Sequence, residues 1–135
     1  MIVVDASAWV TGLVDSGERG EESRRVLSSD VDWAAPPHAP VEVVRTLIRF
    51  LRAGAIQEHQ ADRLVAQVAA ASVRYSAIRP QLLVETWMLR DAVSAYDAPY
   101  VILARSLGAP LITLDHKLAR AARSIEVAVI VPGES

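Results

Sequence analysis

The side chains best suited to chemistry in this sequence are four carboxylates, Asp5, Glu42, Asp97 and Asp115. Asp5 and Asp115 each follow an apolar run typical of a buried strand, and each precedes a helical pattern. Because the carboxyl ends of parallel strands open onto one crevice, residues this far apart in sequence can meet there. Ionised carboxylates that meet repel one another, and Mg²⁺ or Mn²⁺ relieves that repulsion. The pattern therefore predicts metal-dependent phosphate chemistry.

Length and composition limit the architecture that can hold these acids. The 135 residues predict a single domain, residues 1–135, that buries about two thirds of its unfolded surface. A hydrophobic content of 52% with only 5% aromatic residues favours helices packed on an aliphatic sheet. Cysteine is absent, so disulfides, Cys-ligated zinc, iron–sulfur clusters and thiol nucleophiles are excluded.

Charge and hydropathy set the expected location and partners. No apolar run approaches the roughly 20 residues that a membrane span needs, and the apolar opening of the chain has no basic region and breaks at Asp5. We therefore expect a cytoplasmic protein that is neither exported nor embedded in a membrane. The net charge of −2 is not that of a dedicated nucleic-acid binder, so such a role has to rest on local basic patches.

Periodicity and turn residues predict alternating strands and helices around the acids. The predicted strands are residues 2–4, 31–34, 73–78, 111–114 and 127–131. The predicted helices are residues 6–14, 21–29, 40–54, 57–72, 80–94, 97–108 and 116–123, with a turn at 16–20. This order predicts an α/β/α sandwich with a central, mainly parallel sheet.

Each acid also has a simpler explanation. Asp5, Asp97 and Asp115 stand directly before predicted helices, where Asp is among the best N-caps, so capping alone accounts for any one of them. Glu42 could pair with Arg45 on a helix surface, a contact worth about 0.2–0.5 kcal/mol. The set is harder to explain by accident, because all four acids fall where helix N-termini also favour anions and phosphates.

Four motifs around these acids resemble those of the PIN domains, and within that family the VapC-like toxins of bacterial toxin–antitoxin pairs. They are residues 2–10 (IVVDASAWV), 40–44 (PVEVV), 94–104 (SAYDAPYVILA) and 112–119 (ITLDHKLA). In that order they match the family's strand with its Asp and Ser, its helix-borne Glu, its third acid, and its strand-end hydroxyl and acid. The resemblance covers nearly the whole chain.

The resemblance implies a Mg²⁺- or Mn²⁺-dependent endoribonuclease that acts as the toxin of a toxin–antitoxin pair. Asp5, Asp97 and Asp115 are the expected metal ligands, direct or through water, because Mg²⁺ keeps several of its waters. Glu42 is the fourth expected catalytic acid and would bind a second ion or orient the attacking water. By family analogy, water activated by the ion attacks phosphorus and leaves a 5′-phosphate and a 3′-hydroxyl.

Residues around the acids have weaker assignments. Ser7 and Thr113 are predicted to orient a carboxylate or a water, although hydroxyls at such positions are more often bonded only locally. The predicted substrate-binding residues, which would contact RNA phosphates, are Arg45, Arg49, Lys117 and Arg120. A solvated charged face explains any single one of these cations better.

The resemblance also implies partners, because members of this family are usually homodimers and bind a small antitoxin that blocks the site. We therefore expect an RNA substrate, a second copy of the chain and a VapB-like antitoxin as partners, and no membrane.

Three other classes of protein fit the sequence less well. Many relatives carry a fifth acid within three positions of the last Asp, whereas HKL follows Asp115 here. This departure argues against a complete second metal site and keeps open a PIN-like scaffold that binds RNA or a partner without cutting. A receiver-type phospho-switch needs paired acids after the first strand, where Asp5 is followed by Ala6. A haloacid-dehalogenase-like phosphatase needs Asp where Ser7 stands.

Overall fold

A five-stranded parallel sheet forms the centre of the protein in a computed structural model that describes residues 1–134. Its strands are β1 (Ile2–Val4), β2 (Trp33–Ala35), β3 (Val73–Tyr75), β4 (Leu111–Ile112) and β5 (Val129–Ile130). They lie in the order β3-β2-β1-β4-β5, and every neighbouring pair is parallel. Because the chain leaves β1 towards one side of the sheet and later returns on the other, β1 and β4 flank a topological switch point, where open α/β sheets bind ligands.

Helices cover both faces of the sheet, as the alternation of side chains along the strands requires. They are α1 (Ala6–Val14), α2 (Glu18–Ser28), α3 (Ala39–Arg52), α4 (Glu58–Ala70), α5 (Pro80–Met88), α6 (Ala98–Leu107) and α7 (His116–Ser124). Val3 and Leu111 pack in a core with α6 and α7, whereas Val4 and Ile112 pack in a second core with α1, α3 and α4. The predicted α/β/α sandwich is confirmed, with all five strands parallel in residues 1–134.

The predicted turn at residues 16–20 is wrong, because α2 begins at Glu18. Gly20 lies inside this helix, and a Cβ added there would come within 1.8 Å of the carbonyl oxygen of Asp15. Glycine is therefore required by the close approach of the residue after α1 to α2, whereas the sequence pattern had predicted that Gly20 ends a turn before the helix.

Other boundaries differ where apolar residues turn out to be exposed. Val31 is 92% exposed and precedes β2, and Ile78 is 66% exposed and follows β3. Helix α5 ends at Met88 rather than near residue 94, because the next residues form tighter i to i+3 bonds such as that from the Arg90 N–H to the Trp87 carbonyl. The single domain over residues 1–135 stays a prediction, and its last residue, Ser135, lies outside the described residues.

The membrane prediction concerns helix length and hydropathy. In residues 1–134, no helix combines the length and the apolar character that crossing a membrane requires.

Candidate active site

The four predicted acids line one cleft of about 410 Å³ at the carboxyl edge of the sheet. Asp5 directly follows β1, and Asp115 comes shortly after its neighbour β4. Glu42 lies in the first turn of α3, and Asp97 stands directly before α6. The topological switch point thus brings together residues that the sequence keeps far apart.

Asp5 is buried and held by two hydroxyl groups. Its Oδ2 accepts hydrogen bonds from Ser7 Oγ at 2.6 Å and from Thr113 Oγ1 at 2.7 Å. Burial raises the pKa of Asp5 to about 6, with the Asp97 and Glu42 carboxylates adding to the rise and the two hydroxyl bonds opposing it. Its side chain makes no cap bond to α1, so capping does not explain this residue.

The same two hydroxyls tie the loop after β4 to Asp5. Ser7 Oγ accepts from the Leu114 N–H at 3.1 Å, and Thr113 Oγ1 accepts from the Asp115 N–H at 3.0 Å. Two parallel chains of hydrogen bonds therefore run from the loop backbone through a hydroxyl to one carboxylate oxygen. Ser7 and Thr113 thus make the contacts expected of residues that orient a carboxylate, and these contacts link β1 to β4 rather than staying local.

Asp97 and Asp115 differ in whether their side chains cap a helix. The Asp97 side chain makes no cap bond, and its pKa is raised by burial and by the carboxylates of Asp115 and Glu42. Asp115 Oδ1 accepts from the N–H groups of Lys117 at 2.9 Å and Leu118 at 3.2 Å, so Asp115 does cap α7. Asp115 therefore combines a cap with a place in the cleft.

Glu42 makes a different contact from the one expected on a helix surface. No ion pair joins it to Arg45, and its Oε1 instead accepts a hydrogen bond of 2.6 Å from the hydroxyl of Tyr100. His38 Nε2 lies 3.6 Å from the same oxygen. The sequence pattern missed Tyr100, although it follows Asp97 by three residues, which places both on one side of a helix.

Comparisons with known proteins give the family of this chain. The sequence profile described as "PIN domain" matches residues 2–124. The chain belongs to the PIN domain family. Two curated PIN relatives from Mycobacterium tuberculosis are similar over most of their length. Ribonuclease VapC3 is 36% identical over a region that covers 89% of this chain and 86% of the relative. Ribonuclease VapC1 is 35% identical over a region that covers 88% of this chain and 89% of the relative.

Two solved structures share the PIN fold at lower identity. The M. tuberculosis toxin VapC20, described as cleaving the sarcin-ricin loop, has a TM-score of 0.70 at 20% identity and covers 90% of this chain and 95% of its own. PAE2754 from Pyrobaculum aerophilum also has a TM-score of 0.70, at 21% identity. The match covers 96% of this chain and 87% of PAE2754. Sequence and fold together identify a VapC-like PIN domain, as the motifs predicted.

The acids of this PIN domain provide oxygen donors that suit a hard divalent cation. The pKa values of Asp5 and Asp97 are both raised, first by burial and then by the other carboxylates, and a cation would relieve that repulsion. Within residues 1–134, no three Asp, Glu or His side chains converge as a complete metal-binding group. A Mg²⁺ ion bound among these oxygens would keep several of its waters, as it usually does in proteins.

The cations predicted to bind substrate fall into two groups. Arg45 and Arg49 line the PIN cleft, together with Arg19 of α2, which the sequence pattern missed because a turn was expected there. Lys117 and Arg120 are exposed on α7 and do not line the cleft. The positive side of the cleft is therefore built mainly from α2 and α3.

Proposed function

We propose that the protein is a Mg²⁺- or Mn²⁺-dependent endoribonuclease that acts as the toxin of a toxin–antitoxin pair. The observation that carries this proposal is the meeting of Asp5, Glu42, Asp97 and Asp115 in one cleft. Curated relatives that are 36% and 35% identical to the chain are named ribonucleases, which supports the proposal. Basic residues on the same cleft would bind a negatively charged substrate next to the acids.

The proposed roles follow from the contacts of each acid. Asp5, Asp97 and Asp115 would hold the divalent ion, directly or through water, and Glu42 would orient the attacking water. When bound, the ion lowers the pKa of water and neutralises charge on the phosphate. Ser7 and Thr113 keep Asp5 Oδ2 in a fixed position. Attack by water on phosphorus would leave a 5′-phosphate and a 3′-hydroxyl.

The RNA would enter along the basic side of the cleft. Arg45 and Arg49 lie on α3 beyond Glu42, and Arg19 of α2 lines the same cleft. These guanidinium groups are suited to phosphates next to the cleavage site. Arg120 would contact RNA only further along the strand, because it lies outside the cleft. Lys117 does not line the cleft either, but its charge opposes the rise that burial causes in the pKa of Asp97, so it acts on the site electrostatically.

Two protein partners complete the proposal. A VapB-like antitoxin would block the cleft by placing a basic side chain among the carboxylates, whose repulsion such a charge relieves as a metal ion does. The test is to purify this protein together with the product of an adjacent short reading frame and to measure RNA cleavage. If that product does not inhibit cleavage, it is not the proposed antitoxin.

A second copy of the chain would cover the exposed apolar face of α5. This face consists of Leu83, Val84, Trp87 and Met88, which are 52–70% exposed, and contiguous apolar surface of this kind marks interaction sites. Sedimentation velocity should show a dimer for the wild-type protein and a monomer for Trp87→Asp. A wild-type monomer at micromolar concentration would exclude the dimer.

The first test is cleavage of end-labelled total RNA with Mg²⁺ or Mn²⁺, beside EDTA and an Asp97→Asn protein purified identically. We expect discrete fragments only from wild-type protein with metal, each with a 5′-phosphate. If wild-type and Asp97→Asn proteins give the same products, the cleavage comes from a contaminant and the proposed activity fails. RNA binding without cleavage would favour a PIN-like scaffold, for which the missing fifth acid after Asp115 is the supporting observation.

A further inference from the structure

Three contacts connect the helix that carries Glu42 with the segment that carries Asp97. The Tyr100 hydroxyl on α6 donates a 2.6 Å hydrogen bond to Glu42 Oε1 on α3. His38 stands directly before α3, and its Nε2 lies 2.7 Å from the carbonyl oxygen of Tyr96, the residue before Asp97. The rings of His38 and Tyr100 also pack edge to face, with centroids 5.5 Å apart.

These contacts act on different parts of the structure. His38 bonds to backbone and so fixes the start of α3 against the loop that precedes α6. It makes no hydrogen bond to the Glu42 side chain, whose Oε1 lies 3.6 Å from His38 Nε2, and a glutamate has several rotamers to lose. The Tyr100 hydroxyl removes that freedom, because it bonds to the carboxylate itself.

Tyr100 is buried, so its hydroxyl needs a hydrogen-bond partner, and Glu42 is the side chain that supplies one. Tyr100 is fully buried and is the largest of the fully buried side chains among the described residues. A hydroxyl in such a place costs stability unless it is paired, and phenylalanine would fill the same space without needing a partner. The hydrogen bond to Glu42 satisfies this group, while the Glu42 side chain remains 26% exposed and lines the cleft.

We propose that Tyr100 is a positioning residue for RNA cleavage, because its hydroxyl holds the Glu42 carboxylate in the orientation that catalysis requires. The proposal rests on the proposed endoribonuclease function and adds to it a residue outside the four acids. Tyr100 has no contact with substrate in this role, since its whole side chain is buried and it acts through Glu42.

The test compares Tyr100→Phe with wild type, using Tyr75→Phe as the matched control. Tyr75 is 41% exposed on β3 and does not line the cleft. We expect Tyr100→Phe to lower kcat about tenfold, the effect of one lost hydrogen bond to a charged group, with KM for RNA unchanged. Tyr75→Phe should match wild type. In a Glu42→Ala background, Tyr100→Phe should cause no further loss.

Urea unfolding without metal gives a readout that is independent of activity. Tyr100→Phe should lower the unfolding midpoint of the wild-type protein more than that of the Glu42→Ala variant, because the two residues are then energetically coupled. An equal shift in both backgrounds would assign Tyr100 a packing role only and overturn the proposal.

The two proposals fail in different ways. An active wild-type enzyme that Tyr100→Phe does not slow would overturn the positioning role and leave the nuclease intact. A wild-type protein that cuts no RNA would overturn the proposed function and, with it, any role of Tyr100 in cleavage.

Discussion

The two sides of the acidic cleft hold their carboxylates differently. On the strand side, Asp5 is only 6% exposed, and one of its oxygens receives two hydroxyl bonds that also anchor the loop after β4. On the helix side, Glu42 has a side chain that is 26% exposed and receives a single hydroxyl bond, from Tyr100. Two hydrogen bonds thus fix the Asp5 carboxylate on the strand side, where its burial disfavours the charged form. On the helix side, a single hydrogen bond holds the Glu42 carboxylate.

This difference suggests a division of labour under the proposed function. The strand side suits a bound ion, which needs carboxylates in a fixed place, and the cost of burying Asp5 is what a cation would relieve. The helix side suits the water and the RNA, which arrive and leave in each catalytic cycle. The predictions that follow test the two sides against each other, from the largest expected effect to the smallest.

Removing the charge of an acid on either side should have the largest effect. We expect Asp5→Asn to lower kcat/KM for RNA by about 10³-fold and Glu42→Gln by about 10²-fold, because charge stabilisation and water orientation are worth several kcal/mol each. Asp91→Asn is the control, since Asp91 is exposed and does not line the cleft. If Glu42→Gln lowers kcat/KM more than Asp5→Asn does, the helix side contributes more to catalysis than the strand side, and the proposed order is wrong.

The pH dependence of stability should come from the strand side. The pKa of Asp5 is raised by burial from 3.8 to about 6, so between these values the folded state binds the proton that the unfolded state has released. The free energy of unfolding of the metal-free protein should therefore fall by about 2–3 kcal/mol as pH rises from 4 to above 6.

Asp5→Asn provides the control for this pH effect. It should remove most of the fall, leaving the contribution of Asp97, whose pKa burial also raises. It should also make the metal-free protein more stable than wild type at pH 7, as measured by urea unfolding at several pH values. Identical pH profiles for the two proteins would show that Asp5 is not the group responsible.

Removing one hydroxyl from the strand side should have an intermediate effect. Thr113→Val breaks the bonds to Asp5 Oδ2 and from the Asp115 N–H, and we expect a loss of about 1–2 kcal/mol in stability. Thr86→Val is the matched control, because Thr86 Oγ1 is buried without a hydrogen-bond partner. That change should be neutral or stabilising in thermal unfolding, and equal losses for the two variants would contradict a special role for the Thr113 hydroxyl.

The basic residues should give the smallest effects. Arg49→Ala should weaken RNA binding severalfold across sequences and reduce the salt slope by about 1, as expected for one phosphate contact. Arg120→Ala should change both quantities less, because Arg120 lies outside the cleft. Binding titrations at several salt concentrations would distinguish the two variants. A larger effect of Arg120→Ala would indicate that RNA binds along α7 rather than along α3.

The fold class and the meeting of the acids were predictable because local signals agree with the global arrangement. Apolar runs precede Asp5 and Asp115, and strands that alternate with helices have few alternatives to a parallel sheet. The boundaries were less predictable. Gly20 has the local signature of a helix breaker, and only its distance from Asp15 shows why it lies inside a helix.

The sequence by itself determined which acids are present, their places at strand and helix ends, and the family to which the chain belongs. Only the tertiary structure decided which distant side chains the acids contact. The Asp115 cap is a local contact that the sequence predicted, but the bonds from Tyr100 to Glu42 and from Thr113 to Asp5 depend on elements that pack from distant parts of the chain. Local propensity describes neighbours in sequence, whereas these hydrogen bonds join residues 58 and 108 positions apart.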